Sequence, residues 1–202
     1  MYIKRRMGLL KGLEKRRINM KKILTFISII TIVGVLASCD KEEATTEPKP
    51  KTCEQMEPCK TALEYATYTE QGAEDKAYKM ETKVENLTSY DNLAKAKEYI
   101  ASDYNQYQHT KINKYGILEY EVSPNEKYIY KFKFNDFRTG EIKTFTVGIL
   151  KEGDKYLTYQ YFNGASKSDV TISGEIVGHK RYYSPELTQQ EKKELTPLLV
   201  EK

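Results

Sequence analysis

The side chains in this sequence best suited to chemistry are its three cysteines and two histidines. Cys53 and Cys59 are separated by five residues, which is wider than the Cys-x-x-Cys spacing of redox-active dithiols. A zinc site needs four ligands, and neither a further cysteine nor a nearby histidine completes one here. His109 and His179 lie far apart in the sequence, so we expect exposed polar residues near element ends and no metal pair.

Sequence motifs of the common hydrolases and nucleotide-binding enzymes are absent. The sequence has no Gly-x-Ser-x-Gly motif, no glycine-rich phosphate loop ending in Lys-Ser/Thr, and no His-Glu-x-x-His pattern. Glu119 and Glu121 fall on the polar side of a predicted strand, where charged side chains are ordinary. We therefore predict no catalytic residue, no metal and no cofactor, and we favour a protein that is not an enzyme.

Tyrosine is abundant, with 17 residues against no tryptophan. A tyrosine combines a large apolar ring with a hydroxyl group, which suits recognition surfaces, and it is also a good strand former. Tyr128, Tyr130 and Tyr156 are best explained by packing within a sheet. Tyr159 and Tyr161 lie on the opposite face of their predicted strand from Phe162, and they are the candidates for a binding surface. The alternative is that they lie beneath a terminal helix.

Residues 23–38 form a 16-residue segment without a charged side chain, preceded by Met20 and two lysines. A basic start, a short apolar run and small residues at its end are typical of a secretory signal peptide. The run is shorter than the ~20 apolar residues of a membrane-spanning helix. Its last residues, Leu36-Ala37-Ser38-Cys39, resemble the lipobox of bacterial lipoproteins. In that family the cysteine receives a diacylglycerol, the signal is cleaved before it, and the new amine is acylated.

The resemblance implies that residues 1–38 are a lipoprotein signal peptide and that acylated Cys39 attaches the mature protein to a lipid bilayer. The expected location is the cell envelope, at the outer membrane, either periplasmic or surface-exposed. The alternative is an uncleaved N-terminal anchor with a chance cysteine. Residues 1–19 fit no part of the pattern, so translation begins at Met20 or the basic region is unusually long. The charged residues 40–43 resemble short lipoprotein surface-export signals, or simply begin a tether.

The positive charge of the chain is concentrated at its start. Residues 1–22 hold nine basic side chains and one acidic side chain, whereas the formal net charge of the whole chain is only +4. The remaining residues therefore carry about four negative charges in excess, and a mildly acidic domain offers no general field for phosphates. We predict no nucleic-acid partner.

Residues 39–60 are rich in proline and charged residues, and their composition cannot bury enough apolar surface to offset the entropy of ordering. We predict a disordered tether over this range and a single domain over residues 61–202. Because an exported compartment is oxidising, a disulfide between Cys53 and Cys59 is favoured over two free thiols.

Two helical patterns open the predicted domain. In both, apolar side chains recur at steps of three and four residues, which indicates amphipathic helices. Thr61 and Glu64 have the spacing of a capping box at the start of the first helix, Gly72 weakens or splits it, and Ser89 or Asp91 caps the second. The stripes are Leu63, Ala66, Ala73, Ala77, Met80, Val84 and Leu87, and then Leu93, Ala96, Ile100, Tyr104 and Tyr107.

From about Lys111 onward, apolar and polar residues alternate in short runs that are separated by turn residues. This pattern predicts an antiparallel meander with one buried face. The predicted fold class is α+β: two N-terminal helices packed on a four- to five-stranded antiparallel meander, followed by a short C-terminal helix beginning near Ser184. The order of elements resembles small lipoproteins of outer-membrane assembly and cystatin-like or NTF2-like sheets, in topology only.

Taken together, the lipobox, the tether and the missing catalytic motifs predict an envelope-anchored, non-enzymatic binding or interaction module. Its partner is an envelope protein or a small ligand that the sequence does not identify. The alternative is a pocket between helices and sheet, of the NTF2-like or cystatin-like kind, that binds or hydrolyses a small molecule. A closed helix–sheet interface favours the first hypothesis, and a deep cavity that holds tyrosine hydroxyls favours the second.

Overall fold

The computed structural model of the chain describes residues 52–83, 88–162 and 165–200. The predicted signal peptide, Cys39 and most of the predicted tether lie outside the described residues. Within these ranges no helix combines the length and the apolar character needed to cross a membrane.

A five-stranded antiparallel sheet forms the centre of the domain, and it confirms the predicted α+β class. Four strands follow one another as a meander, and a fifth strand returns to pair with the first, giving the order β4-β3-β2-β1-β7. These strands are β1 (Tyr115–Ser123), β2 (Lys127–Asn135), β3 (Ile142–Glu152), β4 (Lys155–Phe162) and β7 (His179–Tyr183). The remaining strands, β5 (Thr171–Ile172) and β6 (Glu175–Ile176), form a separate two-stranded ribbon.

The meander follows from the alternation in the sequence. Alternate residues of β2, from Tyr128 to Phe134, are buried on one face of the sheet, as a period of two requires. The hairpin turns use the residues that tolerate a left-handed backbone, since Asn125, Gly140 and Gly153 all have positive φ. The register is therefore fixed both by the buried face and by the turns.

The last strand is not where the sequence pattern placed it. The predicted strand around Val170–Ile176 forms the small β5–β6 ribbon, whose turn contains Ser173 and Gly174, both at positive φ. The fifth strand of the sheet is instead His179–Tyr183, paired with β1. Its first three residues are basic and exposed, so it lacks the apolar alternation that identified the others.

Helix α1 (Glu57–Gln71) begins earlier than predicted. Pro58 occupies its first turn, where a missing N–H is tolerated, and Thr61 lies inside the helix with its hydroxyl donating to the Glu57 carbonyl at 2.9 Å. The predicted capping box at Thr61 is therefore wrong. The predicted boundary at residue 61 is also wrong, since a 3₁₀ turn at Cys53–Gln55 already belongs to the folded domain.

Gly72 ends α1, as its poor helix propensity suggested. It has a φ of +71° and is the C-cap of the helix. A Cβ atom at this position would lie 2.2 Å from the Cβ of Ala101, so both the backbone and the space exclude a larger residue. The predicted first helix is consequently divided into α1 and the short α2 (Glu74–Lys79); Val84 and Leu87 lie outside the described residues.

The second predicted helix is also divided, into α3 (Leu93–Glu98) and α4 (Tyr104–Tyr107). The side chain of Asn92 caps α3 by accepting a hydrogen bond from the Lys95 N–H at 2.9 Å. The predicted caps, Ser89 and Asp91, are therefore wrong.

Glu70 interrupts the apolar stripe of α1, and the fold explains why it is tolerated. Its side chain is only 2% exposed and forms an ion pair with the ammonium of Lys143 at the start of β3. Arg138, in the β2–β3 turn, donates to the Glu70 carbonyl at 2.6 Å and to both carboxylate oxygens of Asp103 at 2.7 Å. These contacts fix the end of α1 to the sheet, and loss of the Lys143 pair would leave the buried Glu70 carboxylate without its cation.

Helix α1 covers one face of the sheet and packs mainly on β3 and β4. The core between them is apolar and filled, with side chains such as Phe132 and Phe145 no more than 1% exposed. It comprises Cys53, Cys59, Ala62, Leu63, Tyr65, Ala66, Ala77, Ile112, Tyr115, Ile117, Tyr128, Tyr130, Phe132, Phe134, Phe145, Val147 and Ile149. Burial of each large side chain contributes about 1.5–3 kcal/mol, so this interface is the main source of stability.

The opposite face of the sheet is covered in part by the chain that follows β4. Leu118, Tyr120 and Ile129 form a second small core with Val170. The C-terminal residues also cross this face, since the Val200 N–H donates to the Tyr120 hydroxyl at 2.9 Å. The sheet is thus buried more evenly than the predicted meander with one wet face.

The terminal helix α5 (Gln189–Glu194) begins later than predicted. Thr188 is its N-cap, in a capping box with Glu191. Ser184, the predicted start, is buried and instead accepts a hydrogen bond from the Tyr115 N–H at 3.0 Å through its hydroxyl.

We expect the attachment of α5 to weaken in acid. The Lys114 ammonium and the hydrogen bonds of the Thr188 cap lower the pKa of Glu191 to about 2. A lowered carboxyl pKa stabilises the fold above the ordinary value near 4.5, and this contribution is lost as the pH falls towards 2. An NMR titration of the Glu191 carboxyl should give this low pKa in the native chain. In Lys114→Ala the pKa should rise, and an unchanged value would contradict the ion pair.

Candidate functional site

A groove of about 610 Å³ runs along the outer side of α1, between this helix and the segment that leads into β1. Leu63, Thr67 and Gln71 are spaced four residues apart and therefore share one face of the helix. The adjacent stripe, Lys60, Glu64 and Tyr68, has the same spacing and forms the outer edge of this wall. The full lining is Glu54, Lys60, Leu63, Glu64, Thr67, Tyr68, Gln71, Lys76, Gln108, Lys111, Ile112 and Asn113.

The disulfide holds one end of the groove. Cys53 and Cys59 are bonded and completely buried; Cys53 begins the 3₁₀ turn, and Cys59 lies in the first turn of α1. Glu54 and Lys60, which line the groove, each lie next to one of the two cysteines in the sequence. Glu54 is further held by the Tyr115 hydroxyl, which donates to its carboxylate. The cross-link therefore positions two charged side chains of the site.

The floor of the groove is mostly apolar. Leu63, Thr67 and Ile112 are at least nine-tenths buried, and the Thr67 hydroxyl donates to the Leu63 carbonyl at 2.8 Å. Thr67 thus contributes its methyl group to the surface without an unpaired hydroxyl. Gln71 closes the floor, where its Nε2 donates to the Thr110 carbonyl at 2.8 Å and ties α1 to the opposite wall.

Three lysines surround the groove and are poorly matched by acids. The ammonium of Lys76 lies 5.4 Å from the ring centroid of Tyr68 and 5.3 Å from that of Tyr104, a cation–π arrangement that fixes its position. Among the described residues, no carboxylate lies within 4 Å of Lys76 or Lys111. Lys60 has only a loose contact of 3.5 Å with the exposed Glu57.

The acids of the groove are engaged elsewhere. Glu64 accepts a hydrogen bond from the Tyr68 hydroxyl at 2.9 Å, and Glu54 accepts one from Tyr115. Burial and the neighbouring carboxylate raise the pKa of Tyr68 to about 12, so this hydroxyl remains a donor at every physiological pH. These hydrogen bonds leave the charge of both carboxylates in place, so the lining holds three lysines against two glutamates, a formal excess of one positive charge.

The second wall of the groove is a short irregular stretch that ends in a bend at Lys114. Residues 111–114 precede β1 outside any helix or strand, and the side chain of Ile112 anchors them in the core. Over the described part of the chain, their backbone N–H and C=O groups have no hydrogen-bond partner. A second cleft, of about 510 Å³, lies on the other side of the same residues. The stretch therefore presents free backbone donors and acceptors beside open space.

No family model, no characterised protein and no solved structure matches this chain. Its function must therefore be argued from its own residues.

The predicted tyrosine surface does not lie in this groove. The Tyr159 ring packs against Gly148 on the other face of the sheet, where a Cβ would lie 2.5 Å from the ring, and it contacts the second core. Partial burial, with the nearby Asp169 carboxylate, raises the pKa of Tyr159 to about 12. Tyr161 of β4 pairs with Val147 of β3, but the Tyr161 side chain lies outside the described residues.

The shared face predicted for Tyr159 and Tyr161 relied on unbroken alternation along β4. The register of β4 against β3 shifts between Gly148 and Ile149, so the period of two is interrupted near Tyr159. A binding role for the two tyrosines stays a prediction, and Tyr159 has a packing role in addition.

Both histidines are exposed and lie near element ends. His109 is in the turn after α4, and His179 begins β7 with its ring 6.2 Å from that of Tyr120. Across residues 52–83, 88–162 and 165–200, no group of three or more His, Cys, Asp or Glu side chains could hold a metal ion.

The groove has no clear signal in the sequence. Its lysines come from three separate elements, and none stands out in a chain with 33 basic residues. The four-residue spacing of Lys60, Glu64 and Tyr68 marks one helix face, but only the fold shows that this face has an open wall opposite it.

Proposed function

We propose that the chain is an envelope-anchored lipoprotein whose folded domain is a non-enzymatic binding or interaction module. Acylated Cys39 attaches it to a lipid bilayer, at the outer membrane, and the groove beside α1 binds its partner. The observation that carries the proposal is the combination of a filled helix–sheet core and an open, preformed groove outside it. Preformed clefts with an apolar floor and a few placed polar groups are the usual form of binding sites.

The filled core argues against the alternative of an internal pocket. A cavity between helices and sheet would have to displace side chains such as Ala62, Phe132 and Phe145, which are at most 1% exposed. The buried tyrosine hydroxyls are already paired, with Tyr65 donating to Glu81 at 2.9 Å and Tyr130 to Glu119 at 2.8 Å. Burial and these carboxylates raise the pKa of both tyrosines, so neither is suited to act as a base.

The charge distribution agrees with a protein or small-ligand partner in the envelope. Paired acids such as Glu119 and Glu121 share the ammonium of Lys180, at 3.3 and 3.6 Å, and so have a structural role. At the groove, three lysines and two glutamates surround an apolar floor. Nucleic acid requires a broad basic face for many phosphates, and a mildly acidic domain opposes it.

Cross-linking capture from the native envelope tests this proposal. The full chain and its Lys111→Glu variant should be compared with Lys155→Glu, which changes an exposed lysine at the opposite end of the sheet. We expect the native chain and the control to capture the same envelope component, and Lys111→Glu to lose it. Equal capture by all three chains would exclude the groove as the binding surface.

A further inference from the structure

We propose that the groove binds an extended, acidic peptide segment of a partner protein, which pairs its backbone with residues 111–114. This inference rests on the proposed binding function and specifies its ligand. Four features carry it: the unpaired backbone of one wall, the length of the groove, the three lysines of its rim, and its apolar floor.

The unpaired wall is the feature that distinguishes a peptide from other ligands. An extended backbone with free N–H and C=O groups is a template for strand addition, in which main-chain hydrogen bonds give affinity. Lys111, Ile112 and Asn113 line the groove outside any helix or strand, and none of the backbone–backbone hydrogen bonds between described residues involves them, so their N–H and C=O groups remain for a ligand. An acyl chain or an aromatic metabolite offers no regular series of donors and acceptors to match them.

The length of the groove fits a short peptide. The helical wall runs from Lys60 to Gln71, and at 1.5 Å per residue this distance is about 16 Å. An extended peptide rises about 3.3 Å per residue, so about five residues fill the groove. Alternate side chains of such a peptide point to opposite sides, which places one set over Leu63 and Ile112 and the other towards the rim.

Charge selects the sequence of the peptide. Lys76 is held between two tyrosine rings and Lys111 has no carboxylate within 4 Å in the described ranges, so both ammonium groups are available to a ligand. Glu54 and Glu64 keep their charge, so the lining has a formal excess of one positive charge, and the three lysines are the contacts for ligand carboxylates. The expected ligand alternates acidic and apolar residues.

Fluorescence anisotropy with labelled hexapeptides tests this specificity. The probe is a peptide of alternating glutamate and valine, added to the full chain purified in detergent. We expect the peptide with lysine in place of glutamate to bind at least about tenfold more weakly, since it opposes the lysines of the rim. Methylation of alternate peptide nitrogens should cause a similar loss, because it removes the backbone donors without changing charge.

Variants locate the binding. Lys111→Glu and, separately, Lys76→Glu should weaken the glutamate–valine peptide by about tenfold, whereas Lys155→Glu should bind like the native chain. Thermal melting verifies that each variant is folded. In an isotope-labelled chain, the amide resonances of residues 111–114 should shift on binding.

Three results would overturn the inference. They are equal affinity for the glutamate and lysine peptides, full binding of the methylated peptide, and displacement of bound peptide by vesicles of phosphatidylglycerol, which would assign the groove to a lipid headgroup. None of these results affects anchoring through Cys39 or capture of a partner in the envelope. Failure of the peptide hypothesis is therefore distinguishable from failure of the proposed function.

Discussion

A Cys39→Ala chain should incorporate no palmitate and should accumulate as an uncleaved precursor or a soluble product. In a lipoprotein the sulfur of the cysteine carries the diacylglycerol, and its amine becomes the acylated N-terminus after cleavage. Each buried methylene contributes ~0.8 kcal/mol, so two or three chains give stable attachment where one does not. Within the described residues no helix could replace this anchor. The loss of palmitate label should be complete, because the sulfur that accepts the lipid is removed.

Metabolic labelling with palmitate, followed by membrane fractionation, measures this effect. Cys53→Ala is the matched control, because it removes a cysteine of the same chain without touching the lipobox resemblance. A start at Met20, without residues 1–19, should leave labelling and mobility unchanged. If Cys39→Ala stays in the membrane with native mobility and retained label, the lipoprotein proposal is wrong and an uncleaved helical anchor takes its place.

The sheet could be predicted because its signal is local. Alternate burial from Tyr128 to Phe134 requires only that one face meets a core, and turn residues such as Asn125 and Gly153 divide the strands. The edge strand β7 was missed for the opposite reason. His179, Lys180 and Arg181 are exposed, and only pairing with β1 makes them a strand.

The sequence predicts the positions of the helices more closely than the residues at which they begin and end. Periodicity places an apolar stripe, but the end of a helix depends on a single residue and its surroundings. Gly72 adopts a left-handed backbone against Ala101, and α1 starts at Glu57 with Pro58 in its first turn rather than at the Thr61 pattern. The groove depends on contacts between distant segments, such as Gln71 with Thr110, which no local pattern contains.

The disulfide is expected to stabilise the domain and to organise the groove. Cys53 and Cys59 close a short loop, with a sequence separation of six residues. Restricting the unfolded chain in this way stabilises the fold by about 2 kcal/mol. For a domain of this size, that energy corresponds to a fall in the melting temperature of about 4–8 °C on reduction.

Thermal unfolding with and without dithiothreitol measures the effect on the native chain. Reduction keeps both sulfur atoms in the core, whereas the Cys53→Ala, Cys59→Ala double variant also removes buried sulfur and should be slightly less stable still. The double variant should be insensitive to dithiothreitol. This insensitivity shows that the effect of the reductant on the native chain arises at these two residues.

Reduction should also weaken the binding site, because the cross-link holds Glu54 and Lys60 at one end of the groove. We expect the affinity for the glutamate–valine peptide to fall a few-fold, as ordering of the loop is then required on binding. Palmitate labelling at Cys39 should not change, since it depends on the segment before the domain. If iodoacetamide modifies Cys53 and Cys59 in the denatured but unreduced chain, and reduction leaves melting unchanged, the two residues are free thiols and the disulfide is absent.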